Sequence, residues 1–369
     1  MADVNSGLGK GKLKPIRIVV ETLVDDGLTN AQMSNAREII HRLDPERFHV
    51  TTFVQKDPDP RVRCRPNTRL IQLPSHKQTA SILREFLFGE HDVLFYLKAS
   101  PASRWYMKLK SFCKGQRVTI GTIESQTNWR SEPTITPENI ALLENTVLRC
   151  DYLFSNSNAV KRSLETEYGL CSDIVPTGVD TKFFTPDWCR TANTRVRVLF
   201  VGSLRPFKGP RTVAAAAERF PRADFVIIGD GILASELSHH ASRLPNLRVA
   251  GSLSPSAVRQ QYRQSDIFFF PSRWEGSPKV LMEAAACGLP VIARKDYEPE
   301  TVIDNKTGYL VGEDDELLEG LDRLVSSPEL RRNFGRGGRA HIEKFDWDRV
   351  TRQWEEIFLR LASKQGAQA

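Results

Sequence analysis

Residues 268–293 carry the sequence FFFPSRWEGSPKVLMEAAACGLPVIA, and this stretch decides the fold. The apolar run Ile267 to Phe270 predicts a buried strand, and Leu289 to Ala293 predicts the start of another. Between them lie a turn-rich loop and a helix whose two ends are both marked by sequence. The stretch therefore predicts a strand, a loop, a helix and a second strand, which is the repeating unit of a parallel α/β sheet.

The predicted helix begins with Ser277 as N-cap and Pro278 at the first helical position, and it ends at Gly288 in the left-handed position. Its free N–H groups open at the carboxyl edge of the sheet, where they favour an anion. Two carboxylates, Glu275 and Glu283, frame this opening. We expect the loop and the first turn of the helix to bind a ligand, with Gly276, Ser277, Pro278, Lys279 and Val280 as contact residues.

Length and composition set broad limits. The chain has 369 residues, of which 40% are hydrophobic and 26% are charged, which fits a soluble protein of two domains. The net charge of +7 permits an anionic ligand or membrane surface without requiring one. No apolar run is long enough to span a bilayer. Residues 1–15 are rich in Gly and Lys and lack the apolar core of a secretory signal, so we predict a disordered tail.

The six cysteines show neither CxxC pairs nor metal-ligand spacing, which predicts reduced, mostly buried thiols in a cytoplasmic protein.

The first half begins with a βαβ pattern. A β-rich run at 16–21, a turn at 25–27, a helical pattern at 30–43 and a second strand at 48–54 favour a parallel sheet with its ligands at the carboxyl ends of the strands. Gly27 lies in the first crossover, where it is either a ligand-binding glycine or only a turn glycine. Further strands are expected at 70–73, 93–97, 118–123 and 152–155, with helices at 77–88, 101–113, 137–149 and 157–168.

Two features of the first half have two interpretations each. Glu124 follows a predicted buried strand, so it is either a base or sugar-hydroxyl ligand in a cleft, or a helix-capping or salt-bridged residue. The stretch Lys98–Arg117 interleaves six cations with Trp105, Tyr106 and Phe112 and lacks acidic residues. Such a stretch can dock on an anionic membrane surface, but it is also typical of an amphipathic helix with one solvated face.

In the second half the α/β pattern starts again. Strands are expected at 196–201, 225–228 and 247–250, each ending in small residues, among them Gly202, Ser203, Gly231 and Ser252. The first of these loops contains Arg205 and Lys208, and cations beside a helix N-terminus are the usual arrangement for binding a diphosphate. We expect domains at 16–185 and 195–345, followed by a C-terminal helix at 346–369 that crosses back to the first domain.

These residues resemble family 4 of the retaining nucleotide-sugar glycosyltransferases, which have the GT-B fold of two Rossmann-like, doubly wound domains facing across a cleft. The segment 275–284, EGSPKVLMEA, matches the Glu-x7-Glu motif of that family. The resemblance is continuous from about residue 150 to residue 358 and is only architectural before that. Further matches lie at 178–180 (GVD), 200–204 (FVGSL), 208–209 (KG), 228–231 (IGDG) and 308–311 (GYLV).

The resemblance implies roles for individual residues. Glu275 would contact the transferred sugar, Glu283 the nucleotide ribose and Lys208 the diphosphate. Where the family most often has an arginine this chain has Ser203, so Arg205 would supply the second cation or none does. Glu124 stands where the family has a histidine that touches the sugar.

The implied function is a hexosyltransferase-type enzyme of polysaccharide biosynthesis. It would move a sugar, with retention and without a metal or cofactor, from a nucleotide-sugar donor to a glycan, lipid-linked or small-molecule acceptor. We expect it in the cytoplasm, with an alternative of peripheral binding at the inner membrane face. The alternatives to this activity are a non-catalytic sugar-nucleotide-binding protein and another GT-B enzyme such as an epimerase. The basic residues form no nucleic-acid-binding module, so nucleic acid is not an expected partner.

Overall fold

The computed structural model describes residues 14–27, 31–113, 117–127 and 135–366. Within these residues the chain forms two parallel β-sheets whose strands are joined by helices, as the alternating pattern of the sequence predicts. Of the tail predicted at 1–15, all but Lys14 and Pro15 lies outside the described residues.

The first sheet contains seven described strands in the order β3-β2-β1-β4-β5-β6-β7. Strand β1 is parallel to both of its neighbours, and Ile18 of β1 lies opposite both Val50 and Val93. The chain order therefore reverses between β1 and β4. The strands are β1 (Ile16–Leu23), β2 (Phe48–Val54), β3 (Thr68–Gln72), β4 (Val93–Phe95), β5 (Val118–Ile123), β6 (Tyr152–Ser155) and β7 (Asp173–Ile174).

The second sheet contains six described strands in the order β10-β9-β8-β11-β12-β13, and its chain order reverses between β8 and β11. Phe268, Phe269 and Phe270 are all fully buried, because a parallel strand in the middle of a sheet is covered on both faces. The strands are β8 (Arg197–Val201), β9 (Asp224–Ile228), β10 (Leu247–Val249), β11 (Ile267–Phe270), β12 (Val291–Arg294) and β13 (Gly308–Val311).

The helices lie between these strands and after the last one. They are α1 (Ala31–Arg42), α2 (Pro60–Arg63), α3 (Gln78–Phe88), α4 (Pro101–Leu109), α5 (Pro137–Glu144), α6 (Asn158–Tyr168), α7 (Pro210–Arg219), α8 (Ala234–Ala241), α9 (Pro255–Gln264), α10 (Lys279–Ala286), α11 (Asp314–Ser326), α12 (Pro328–Ile342) and α13 (Trp347–Gly366).

The chain divides into two compact units. The first contains the described residues within 1–121, 136–152 and 354–369, and the second contains those within 122–135 and 153–353. Boundaries between the units pass through β5, β6 and α13. The domain limits expected from the sequence, 16–185 and 195–345, stay a prediction.

The end of α13 packs in the first unit. Trp354 and Phe358 are buried, and the Phe358 ring lies 5.0 Å from the Phe95 ring and 6.0 Å from the Phe48 ring. The Trp354 ring lies 4.7 Å from the Phe95 ring. Helix α13 therefore covers strands β2 and β4, and the expected return of the C-terminal helix to the first domain is confirmed.

The expectation that the thiols are mostly buried is wrong. All six cysteines are free, but Cys64, Cys171 and Cys189 are exposed and only Cys287 is fully buried. Sequence spacing predicted the absence of disulfides but carried no information about exposure. Among the described residues, no helix is both long and apolar enough to cross a membrane.

Replacing Phe358 by alanine should lower the free energy of unfolding by about 3–5 kcal/mol, because a large ring is removed from a closed aromatic cluster. Chemical denaturation of the full chain measures this change. The matched control is Phe112→Ala, since Phe112 is 83% exposed and its loss should change stability by less than about 0.5 kcal/mol. Equal effects of the two substitutions would contradict the described packing of α13.

Candidate functional site

The second sheet has one place where its chain order reverses, between β8 and β11. The loops that leave such neighbouring strands run in opposite directions and open a crevice at the carboxyl edge of the sheet. Here the two loops are residues 202–209 after β8 and residues 271–278 after β11. They contain most of the residues that the sequence predicted as a binding site.

The two loops are fastened to each other. The Arg273 N–H donates to the Phe207 carbonyl at 2.9 Å. Gly209 has a φ of 71°, and a Cβ on it would lie 2.8 Å from the Pro271 carbonyl oxygen. A glycine is therefore needed at position 209 for both conformation and space, and the loop after β8 is held close to the loop after β11.

Lys208 and Glu275 form an ion pair across these loops, between Nζ and Oε1. The Ser272 hydroxyl donates to the same carboxylate oxygen at 2.7 Å. The Lys208 ammonium also lies 5.4 Å from the Phe207 ring centre and 5.8 Å from that of Phe270. The structure thus brings together the predicted diphosphate cation and the predicted sugar carboxylate, and each side chain keeps at most a fifth of its surface exposed.

Helix α10 begins beside this pair. The prediction that Ser277 caps the helix is wrong: Pro278 occupies the N-cap with φ −70° and ψ 114°, and no side chain in the described part of the chain caps the helix. Lys279 and Val280 form the first turn, whose N–H groups carry the positive end of the helix dipole. At the other end, Gly288 has a φ of 78°, which confirms the predicted left-handed position.

Glu283 lies one turn further along α10 and is partly exposed. The hydroxyl of Tyr262, a buried residue of α9, donates to its Oε2 at 3.1 Å. Desolvation raises the pKa of Glu283 above its ordinary value of 4.5, although the Lys279 charge and the Tyr262 hydrogen bond oppose the shift. This carboxylate therefore lacks strong compensation by positive charge and can accept further hydrogen-bond donors.

The loops after β8, β9 and β10 form a glycine-rich edge beside the pair. The Gly202 N–H donates to the Ile228 carbonyl at 3.0 Å, and the Gly229 N–H donates to that of Gly251 at 2.9 Å. Gly231 has a φ of 155°, and a Cβ on it would lie 2.8 Å from the Leu204 carbonyl oxygen. Ser252 follows Gly251 and is exposed. The glycine at position 231 therefore lets this loop pack closely against Leu204.

The two positions at which this chain departs from the family pattern lie on the same loops. Ser203 is half-buried directly after Gly202, and Arg205 is exposed before the turn that contains Lys208. The Glu124 backbone meets the loop after β11, because a Cβ on Gly276 would overlap the Glu124 carbonyl oxygen. The structure therefore brings Glu124 to the candidate site, while its catalytic role stays a prediction.

Gly27 lies in the first unit, where it has a φ of 74° and its N–H donates to Asp26 at 2.9 Å. This confirms the turn predicted after β1, and the part of Gly27 in ligand binding stays a prediction. Among the described residues, no cluster of three His, Cys, Asp or Glu side chains could hold a metal ion.

Sequence reasoning missed Ser272, Tyr262 and Tyr297. The first two hold Glu275 and Glu283. The third is fully buried with a hydroxyl that has no hydrogen-bond partner among the described residues, and burial and then the Glu275 charge raise its pKa. The only available signal was the position of Ser272 at the end of a buried strand, because Tyr262 and Tyr297 are remote in sequence from the residues they face.

Comparison with solved structures identifies the class of fold. Sucrose-phosphate synthase from Thermosynechococcus elongatus superposes with a TM-score of 0.77 at 18% identity, covering 95% of this chain and all of that one. The Anabaena protein HepE, solved with UDP and glucose, superposes with a TM-score of 0.70 at 16% identity, covering 93% and 99%. The chain has the fold of the GT-B glycosyltransferases, as expected.

Comparison of sequences locates the resemblance. Residues 190–341 match the model of glycosyl transferases group 1, so the resemblance seen in the sequence is confirmed for this part of the chain. D-inositol 3-phosphate glycosyltransferase of Acidothermus cellulolyticus is 32% identical over 230 residues, which are 55% of this chain and 51% of that protein. Sulfoquinovosyl transferase SQD2 of Arabidopsis thaliana is 29% identical over 191 residues, which are 47% and 37%. The chain thus spans about half the length of the curated relatives it matches, or less.

Replacing Glu283 by glutamine should stabilise the protein in a pH-dependent way. Because its pKa is raised on folding, the ionised carboxylate costs stability above that pKa, and this cost disappears as the pH falls toward 4.5. Glutamine keeps an oxygen for the Tyr262 hydroxyl. The melting temperature of Glu283→Gln should therefore exceed that of the wild type at about pH 8, and the difference should shrink under acidic conditions. Glu167→Gln, at an exposed position of α6, controls for the lost charge. A difference that does not change with pH would contradict the assignment.

Proposed function

We propose that this chain is a retaining glycosyltransferase that moves a sugar from a nucleoside diphosphate sugar to a hydroxyl of a glycan, lipid-linked or small-molecule acceptor. The observation that carries the proposal is the Lys208–Glu275 pair at the chain reversal of the second sheet, beside the first turn of α10. A cation and a carboxylate placed side by side match a donor whose diphosphate is negative and whose sugar carries hydroxyl donors.

The comparisons support the same class of reaction. The similar proteins from Acidothermus and Arabidopsis bear glycosyltransferase names, and the similar Anabaena structure holds UDP and glucose. The family match covers the half of this chain that contains Lys208, Glu275 and Glu283. We therefore place the donor in the second unit and leave the nucleotide base and the sugar open.

The chemistry needs two charges to be stabilised. The bond between the anomeric carbon and the diphosphate oxygen breaks, the electron pair stays on the diphosphate, and the sugar ring becomes cationic. Lys208, Arg205 and the first turn of α10 would stabilise the leaving diphosphate. These groups would supply the positive charge that the step requires without a metal ion. Glu275 would hold a sugar hydroxyl and favour the cationic ring.

The transfer is completed when the acceptor oxygen bonds to the anomeric carbon on the face that the diphosphate leaves. The acceptor proton then passes to the departing phosphate, which balances the reaction without a further base. Glu124 would lie beside the sugar as a hydroxyl ligand, because its backbone contacts Gly276 next to Glu275.

The nucleoside would lie along the glycine-rich edge. Gly202, Gly231 and Ser252 are small residues at this edge, and small residues let a nucleotide approach the backbone closely. Glu283, already oriented by the Tyr262 hydroxyl, would accept hydrogen bonds from the ribose hydroxyls. Neutral ribose hydroxyls are suitable partners for a carboxylate whose pKa is raised, since they donate hydrogen bonds without requiring a second buried charge.

Replacing Lys208 by alanine should weaken binding of the matching nucleoside diphosphate about 10- to 100-fold, the value of one charge-assisted contact. A thermal-shift screen with UDP-, GDP- and ADP-sugars identifies the donor, and calorimetry then measures the affinity. The matched control is Lys182→Ala, because Lys182 also pairs with a carboxylate, that of Asp348, but is 81% exposed. Unchanged affinity in Lys208→Ala would refute the diphosphate assignment.

Replacing Glu275 by glutamine should preserve nucleotide binding and remove most transfer, since glutamine keeps an oxygen toward Lys208 but not the negative charge. Product formation from the donor found in the screen measures the loss. Wild-type turnover in Glu275→Gln would refute its role. A wild-type chain that binds the nucleotide but neither transfers nor hydrolyses the sugar would favour the alternative of a non-catalytic binding protein.

We also propose that the protein is cytoplasmic and that part of Lys98–Arg117 contacts an anionic membrane surface. On α4 and the turn after it, Trp105 and Phe112 are 52% and 83% exposed, and Arg104 and Lys108 are exposed beside them. Exposed aromatic rings among cations suit a lipid interface. Three other cations of the stretch do not contribute in this way, since Lys98 donates to Thr22, Lys110 pairs with Asp151, and Arg117 donates to carbonyls at the end of α3. Lys114 lies outside the described residues.

The double substitution Arg104→Gln and Lys108→Gln should weaken binding to phosphatidylglycerol-containing vesicles about 10- to 30-fold, at about 1 kcal/mol for each cation near the surface. Co-sedimentation with vesicles measures the affinity, with phosphatidylcholine alone as the uncharged surface. The control is Arg349→Gln with Arg352→Gln, two exposed arginines of α13. Equal binding by both double variants would leave the ordinary amphipathic helix as the explanation.

A further inference from the structure

A second groove lies at the amino edge of the same sheet, opposite the edge that carries Lys208 and Glu275. Its walls are the segment 186–192, the residues that lead into β11 and β12, and one face of α12. It has a volume of about 260 Å³, and a second hollow of about 510 Å³ shares Asp187, Arg190 and Arg263 with it. The groove is therefore separate from the proposed donor site by the length of β11.

The groove is strongly basic. Five arginines and two aspartates line it, so three positive charges are in excess. Arg190 pairs with Asp266, and Arg263 lies 3.3 Å from Asp187. The other three arginines, Arg331, Arg332 and Arg336, come from α12, and in the described part of the chain none of them has a carboxylate within ion-pair distance.

Two guanidinium groups in the groove keep unused donors. The Arg190 Nη1 and the Arg263 Nε are buried and have no hydrogen-bond partner in the described structure. A buried donor without a partner costs about 1–3 kcal/mol, so the two guanidinium groups are not fully satisfied by the carboxylates they pair with. Burial, together with the neighbouring Arg190 and Arg332 charges, also lowers the pKa of Arg331, against an opposing effect of Asp266. The Arg331 charge is therefore only partly compensated by the carboxylate of Asp266.

A flat apolar surface adjoins these cations. The Trp188 ring is 56% exposed and lies at the end of α10, where a Cβ on Gly288 would be 2.6 Å from its Cη2. The ring thus occupies space that only a glycine leaves open. An exposed indole beside arginines suits a ligand that has a planar or sugar ring next to its phosphate.

We propose that this groove binds a small molecule bearing a phosphate or diphosphate group, held by Arg190, Arg263 and the arginines of α12. Guanidinium groups match phosphate oxygens in pairs, and the volume suits a diphosphate rather than a larger polyanion. The ligand would contact the C-terminal end of α10, the helix whose first turn lies at the proposed donor site.

The test uses the full chain and sodium pyrophosphate as the probe, with calorimetry at physiological salt. The wild type should bind pyrophosphate saturably, and the double variant Arg332→Gln and Arg336→Gln should bind at least about 10-fold more weakly, since each lost charge-assisted contact is worth about that factor. Both side chains are exposed, so the variant should fold. The control, Arg349→Gln with Arg352→Gln, removes the same charge from α13 and should bind as the wild type does.

A further variant separates this groove from the donor site. In Lys208→Ala, pyrophosphate binding at the groove should persist, whatever happens to nucleotide binding. Loss of pyrophosphate binding in Lys208→Ala together with wild-type binding in the α12 double variant would overturn the proposal and place the anion at the donor site alone. Absence of saturable binding in the wild type, or equal weakening by the α13 control, would also overturn it.

Discussion

The reversal of strand order between β8 and β11 is the constraint on which the candidate site depends. It makes the loops after these strands diverge, so that a crevice opens at the carboxyl edge of the second sheet. Three contacts then fix the crevice: the Arg273 to Phe207 hydrogen bond, the close approach of Gly209 to Pro271, and the Lys208–Glu275 ion pair. Without the reversal, Lys208 and Glu275 would not be expected to lie close together, because 67 residues separate them in sequence.

The ion pair also explains how the site stays ordered before a ligand arrives. A half-buried lysine or glutamate alone would lose hydration without compensation. As a pair, with Ser272 donating to the carboxylate, both groups have a partner and a fixed orientation. A donor could bind with its diphosphate on Lys208 and a sugar hydroxyl on Glu275. These two polar contacts would then replace the ion pair. The exchange costs less than desolvating two free charges would.

The elements of the second half could be predicted where periodicity and end signals agree. Strand β11 was predicted at both ends, and Gly288 was predicted as the end of α10. The predicted start of α10 is one residue too early. The Ser-Pro pair fits an N-cap followed by the first helical position as well as it fits the observed loop. Helices α11 and α12 were not predicted, although Glu313 and Glu316 form a capping box. In α12 the glycines weaken the sequence signal for a helix, because glycine has a low helix propensity. Gly335 is needed because a Cβ there would overlap the Gly288 carbonyl oxygen.

The partners of individual side chains could not be predicted in the way that the helices and strands could. The family resemblance named Lys208, Glu275 and Glu283, but their partners Ser272 and Tyr262 follow from packing between α9, α10 and β11, which periodicity does not encode. The arginine groove could not be predicted from the sequence either, since Arg190 and the arginines of α12 are brought together only by the fold of the second sheet.

Helix α10 lies between the candidate site at Lys208 and Glu275 and the arginine groove, and its dipole acts at both. Its positive end faces the Lys208–Glu275 pair, and its negative end faces the arginine groove, about 12 Å away for eight residues at 1.5 Å each. The negative end would weaken anion binding there if its carbonyls were free. Arg339, which does not line the groove, donates to the Ala286 carbonyl at 3.2 Å and so compensates that end. The arginines of the groove are thereby left with their charge available, and one buried helix can support anion binding near both of its ends.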